Sequence, residues 1–162
     1  WPGEVVWDED RVSINTQKPT VYYYFSFAFF KGEPVLQINY VTWYLERKGP
    51  DTPWIERGHL DGLTVRFTLP PDGEPFMVDI INNCGSHHFF VPNEKSVKQQ
   101  IFKPLQPDAF VPQWLPDLFP QKRLGIRINS GWHQVQRIRA ENTPSGAITY
   151  KLSPYTVLEI TP

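Results

Sequence analysis

The chain has 162 residues, 16 lysines and arginines against 17 aspartates and glutamates, and a formal net charge of −1. That balance excludes a global cationic field of the kind that recruits nucleic acid. The longest apolar run, 21–30, is too short to cross a bilayer as a helix, and the single cysteine excludes an intrachain disulfide framework. The length suits one domain spanning 1–162. Seventeen prolines, spread evenly, oppose long helices, because proline removes a backbone donor and clashes with the preceding turn. The chain starts at Trp1 rather than Met. It reads as a mature chain or excised domain without its leader, and its aromatic, proline-rich composition suits a secreted or periplasmic β-domain.

In chain order, EVVWD and RVSIN predict two short strands around the acidic turn Asp8-Glu9-Asp10. Val21–Phe30 predicts a long aromatic strand near the centre of a sheet, covered on both faces. KGEP then supplies a hairpin connection. The return run, 35–46, puts Leu36, Ile38, Tyr40 and Tyr44 on one side and Gln37, Asn39, Val41 and Trp43 on the other. After a polar loop, PPDG at 70–73 divides two further strands, and HHFFV restarts a strand beyond Cys84. Residues 93–103 predict one short helix, with Asn93 as its cap. Residues 104–120 hold five prolines with Phe110, Trp114 and Phe119 among them, and predict a long loop pinned by aromatic anchors. Two more hairpins close the chain, one turning at Asn129-Ser130-Gly131 and one around Ser153-Pro154. There is no internal repeat. The expected fold is all-β, an antiparallel β-sandwich or flattened barrel of about ten strands with one helix and a proline-rich loop.

Three features carry chemistry. The first is INNCGSHHFFVP, 81–92. Covalent haem needs a second thiol, which C-x-x-H-H lacks, so haem is excluded. Thiolate and imidazole suit zinc or copper, and a candidate metal set comprises His59, Cys84, His87 or His88, and His133, with Asp61 as outer ligand or base. Adjacent residues in a strand face opposite sides, so one of His87 and His88 is expected to join. A nucleophilic Cys84 would need His59 or His133 as activator and Asn82, Asn83 or Asp79 to orient it. The competing reading is a strand–turn–strand corner, for which Asn-Asn and Gly-Ser are suited.

The second feature is a basic hairpin. With a three-residue loop at 129–131, Arg123, Arg127, His133, Arg137 and Arg139 share a face that would bind a carboxylate, a phosphate or an acidic polysaccharide. Leu124, Ile126, Ile128, Trp132 and Ile138 share the other. The third is a set of aromatic residues, Trp54, Trp114 and Tyr155, able to stack on sugar rings. Two functions therefore stand: a β-domain with a Cys/His zinc or copper site, and a non-catalytic glycan- or protein-binding module. Nucleic acid is not an expected partner, since the aromatics are not interleaved with the arginines.

Overall fold

The computed structural model describes residues 1–8, 11–96, 113–118, 122–143 and 145–159. It is mostly β. The described strands are β1 (Glu4–Asp8), β2 (Arg11–Asn15), β3 (Thr20–Phe30), β4 (Glu33–Arg47), β5 (Gly58–Leu69), β6 (Met77–Asn82), β7 (His88–Pro92), β8 (Arg123–Ile128), β9 (Val135–Glu141) and β10 (Lys151–Pro154). They form a mixed six-stranded sheet in the order β10-β3-β4-β5-β6-β7 and two two-stranded ribbons, β1-β2 and β8-β9. The described strands close no barrel.

Four hairpins in succession build the sheet from β3 to β7. In the first, Phe30 pairs with Glu33 across Lys31 (φ 52°) and Gly32 (φ 85°). Two central residues at positive φ make a type I′ turn, whose twist matches that of paired strands. At the β5–β6 turn the Gly73 amide donates to the Pro70 carbonyl at 2.9 Å.

Alternation gives the sheet two unlike faces. Tyr44, Leu63, Val78, Ile80 and Val91 form a buried cluster with Ile138, and Leu124, Ile126, Ile128 and Val135 of the β8–β9 ribbon pack against it. Val78, Ile80 and Val91 are wholly buried, each worth about 1.5–3 kcal/mol of apolar transfer. The opposite face is polar. There Asn39 donates to Ser26 Oγ at 3.0 Å, Gln37 Nε2 to Thr68 Oγ1 at 3.3 Å, and Arg66 Nε to Asp79 Oδ2 at 3.1 Å.

Three expectations are corrected. β3 is neither central nor covered on both faces: it lies next to the edge, and Phe25, Phe27 and Phe29 are 59, 74 and 80 % exposed. The last segment forms no hairpin at Ser153-Pro154. β10 instead pairs in parallel with residues 20–23, and a 3₁₀ turn, Tyr155–Leu158, follows. Proline there ends the pairing, since it has no N–H to give a ladder. The β8–β9 connection is longer than three residues, with Asn129 N donating to Gln134 O at 3.0 Å.

Of the expected helix, residues 97–103 lie outside the described residues; residues 94–96 form a turn in which Lys95 N donates to Asn93 Oδ1 at 2.9 Å. Of the proline-rich loop, residues 113–118 are described. Gln113 uses its side-chain amide as a strand would use its backbone, donating to Ile138 O and accepting from Ile138 N. Among the described residues, no helix is long and apolar enough to cross a membrane.

Candidate functional site

The residues 82–87 form the turn of the β6–β7 hairpin. Asn82 N donates to His87 O at 3.0 Å and Gly85 N to Asn82 O at 2.7 Å. This turn is a partition between two concavities: Cys84 and Ser86 line a cleft of about 250 Å³, and Asn82, Asn83 and Gly85 line a trough of about 740 Å³.

On the cleft side, five segments meet through a buried ion network. Arg47, at the end of β4, places Nη2 2.9 Å from Asp61 Oδ1, and Asp61 Oδ2 accepts from His133 Nδ1 at 2.6 Å. Arg47 Nη1 donates to Glu56 Oε2 at 3.1 Å, and the Trp132 indole donates to the same oxygen at 2.7 Å. The Arg47 and Asp61 side chains are 3 and 2 % exposed. Burial pushes the Asp61 carboxyl up, but the His133 hydrogen bond and the Arg47 guanidinium outweigh it and hold it below its ordinary value.

Strict alternation would put Arg47 on the face opposite Asp61. The ladder pairs Tyr44 with Asp61 and Glu46 with His59, and between them Leu60 adopts φ 62°. His133, in the 129–134 loop, adopts φ 57°. Two non-glycine residues in left-handed conformation thus flank one carboxylate. Such conformations cost free energy that the surrounding contacts must offset.

Ser86 extends the network outward. Its Oγ lies 3.4 Å from Arg47 Nη1, 3.0 Å from His87 Nδ1 and 3.0 Å from Cys84 Sγ. Gln134 Nε2 sits 2.9 Å from His87 Nε2. An amide N–H donated there assigns the ring proton to Nδ1, which donates to Ser86 Oγ. The serine then accepts from Arg47 and His87 and donates to the exposed Cys84 sulfur.

Tyr44 floors the network, stacked on His133 with ring centroids 3.9 Å apart. Burial pushes its phenol up to about 12, the Thr42 hydroxyl offsetting a part. A folded value raised above the unfolded one makes the neutral phenol stabilising. That contribution is complete below about pH 10 and is lost as pH rises toward the folded value. Phenolate absorbance should show a last tyrosine ionising near 12, and the Tyr44→Phe variant should lack that step. A variant that retains it would assign the step to another phenol.

The sequence-derived candidates separate in space. Cys84 and His87 share the turn, and His133 reaches them through Asp61, Arg47 and Ser86. His88 turns to the polar face, with Nε2 2.9 Å from Asp79 Oδ1. His59 is exposed on β5, beside Arg11, Val12, Ser13 and Leu45. Among the described residues, no group of three or more His, Cys, Asp or Glu side chains is placed to hold a metal ion. Arg123, Arg127, Arg137 and Arg139 do share a face, because Arg127 pairs with Arg137 and Gly125 with Arg139. Arg139 is paired to Glu141. His133 leaves that face for the buried network. Trp54 is 82 % exposed on a 3₁₀ turn beside the cleft, whereas Trp114 is half-buried.

Reasoning from the sequence missed the trough. Its walls include Tyr24, Asn39, Val41, Trp43, Thr64, Arg66, Tyr155 and Glu159. Asn83 leans over Gly62, which has no side chain, and accepts from Thr64 Oγ1 at 2.7 Å. The Asn83 Nδ2 and Trp43 Nε1 donors are buried without a partner, as are both amide atoms of Asn82. The signal was present as alternation in the strands, where polar residues on one face pass for an ordinary solvated surface.

The chain matches no protein-family model, no curated protein and no solved structure.

Proposed function

We propose that this chain is a non-catalytic carbohydrate-binding module and that the trough is its ligand seat. The observation that carries the reading is the set of buried, unpartnered donors at Trp43 Nε1 and Asn83 Nδ2 in a trough walled by Tyr24 and Tyr155. A buried donor without a partner costs about 1–3 kcal/mol, and native structures carry few of them. A sugar supplies what such a wall lacks. Its C–H face packs on the aromatic rings, and its hydroxyls accept from the two N–H groups as the walls part to admit it, since both donors are buried here. Asn39, Thr64, Arg66 and Glu159 add donors and acceptors along the same walls. A location outside the cytoplasm, secreted or periplasmic, belongs to the same proposal.

The test is calorimetric titration of the whole chain with neutral and acidic oligosaccharides of several lengths. Micromolar to millimolar binding is expected. Trp43→Phe keeps the aromatic surface and removes the indole donor, and should weaken binding about tenfold. Loss of binding in Tyr155→Ala with a retained fold would place the sugar on the trough. Binding untouched by both substitutions, or no binding to any oligosaccharide, would sink the proposal.

A further inference from the structure

The outer edge of β3 is paired by β10 over residues 20–23 alone, and among the described residues no strand pairs with it from Tyr24 to Phe30. Which backbone groups it presents follows from the turn. Phe30 and Glu33 flank a two-residue connection, so they exchange hydrogen bonds, and the even-numbered residues of β3 bond to β4. The N–H and C=O groups of Phe25, Phe27 and Phe29 therefore point outward. Their side chains, on one face, are 59, 74 and 80 % exposed, and Leu152 beside them on β10 is 55 % exposed.

Natural free edges are blunted by charge, proline or a bulge. The segment YFSFAFF has no charge and no proline, and its register with β4 runs unbroken. It is also self-complementary. Paired antiparallel with its own copy about Phe27, it sets Phe27 against Phe27, Phe25 against Phe29 and Phe30 against Tyr24, the last position before β10, so that the copy's Lys31-Gly32 turn must bend out of the sheet past Pro154.

We propose that this edge joins two copies of the chain across a two-fold axis through Phe27, making one continuous sheet. Six phenyl rings of roughly 200 Å² each, about 70 % of it exposed, hold on the order of 850 Å² available to the contact. The two backbones bring the contact toward the lower bound of stable interfaces, about 1,200 Å². The contact is isologous and closes on itself, so it gives a dimer and not a fibre. Tyr24 and Phe25 also line the trough, but the pairing uses the outer edge of β3 and requires no ligand there.

Sedimentation of the whole chain under reducing conditions tests it. The parent should sediment at twice the chain mass of 18.9 kDa, and Phe27→Lys at half the parent value with an unchanged circular-dichroism spectrum. In a Cys84→Ser background, Phe27→Cys should oxidise to a covalent dimer, because residues opposite each other in such a pair lie about 5.5 Å apart, within disulfide reach. Phe30→Cys, off the axis, should not. A parent that stays monomeric at millimolar concentration overturns the proposal, as does a dimer that Phe27→Lys leaves intact. A monomer that takes up a foreign extended peptide along β3 would overturn it in favour of a heterologous strand.

Discussion

Asp61→Asn should lower the unfolding free energy by about 3–5 kcal/mol, the range for removing one partner of a buried ion pair. The loss is large because Arg47 stays behind, 4 % exposed, with half its compensating charge gone. The single amide oxygen cannot accept from both Arg47 and His133, so one of the two loses its partner as well. Denaturant midpoints of parent and variant measure the effect, with Asp51→Asn, an exposed carboxylate, as the control expected within about 0.5 kcal/mol. The pH dependence carries a definite sign. The folded Asp61 value is depressed, so its stabilisation is complete above the unfolded carboxylate value, about 3.9, and is lost as pH falls below that toward the folded value. The parent should therefore lose stability steeply below about pH 4, and the Asn variant should lack that share of the slope. Equal slopes in the two proteins would mean that Asp61 is not the group whose protonation matters.

The second large effect is expected at Gly131. Its φ is +87°, and a Cβ there would lie 2.0 Å from the Lys48 carbonyl oxygen. The same residue accepts from Lys48 N at 3.0 Å, so the 129–134 loop is seated backbone to backbone on the chain just after β4. Gly131→Ala meets two penalties: the left-handed backbone, about 1–2 kcal/mol, and a clash relieved only by lifting the loop. Lifting it pulls Trp132 from Glu56 and His133 from Asp61. A total above about 2 kcal/mol is expected, together with a change in tryptophan emission. Gly73→Ala is the matched comparison. Its φ is +81° with nothing within 4 Å, so it bears the backbone penalty alone. Equal costs at the two positions would show that the loop is not held by Lys48.

How much was legible in the sequence depended on how local each signal was. The runs EVVWD and RVSIN are β1 and β2 to the residue, because turn formers bound them on both sides. The two faces of β4 were legible because alternation holds from Leu36 to Tyr44; it fails at Arg47. The arginine face of the β8–β9 ribbon was legible even with a connection of the wrong length. The pairing of Arg127 with Arg137 differs from that expectation by an even number of residues, and an even shift leaves every side chain on its own face. His133 was not legible for the complementary reason. It belongs to the connection, where alternation does not apply, and its ring enters the core beside Tyr44. The Arg47–Asp61 pair depends on the left-handed Leu60, which no residue type announces. Gathering His59, Cys84, one of His87 and His88, and His133 at one rim required four strand ends to agree. The structure keeps His87 in the turn with Cys84 and turns its neighbour His88 to the polar face, while His59 lies exposed beyond the left-handed Leu60.

The parallel partnership of β10 with β3 bears on how the chain is made. From β3 to β7 each strand meets the next one along the chain, so these contacts form early and over short separations. β10 is the exception: Lys151 must find Thr20 across all the strands between them. During synthesis from the N-terminus, β3 can close its inner side on β4, while among the described residues its outer side has no strand partner until β10 emerges. For that interval all eleven residues of the most aromatic strand present an open margin. A ribosome-bound chain stopped before residue 151 is the species most exposed to association with its neighbours, and a chaperone that binds aromatic extended segments would find its target there.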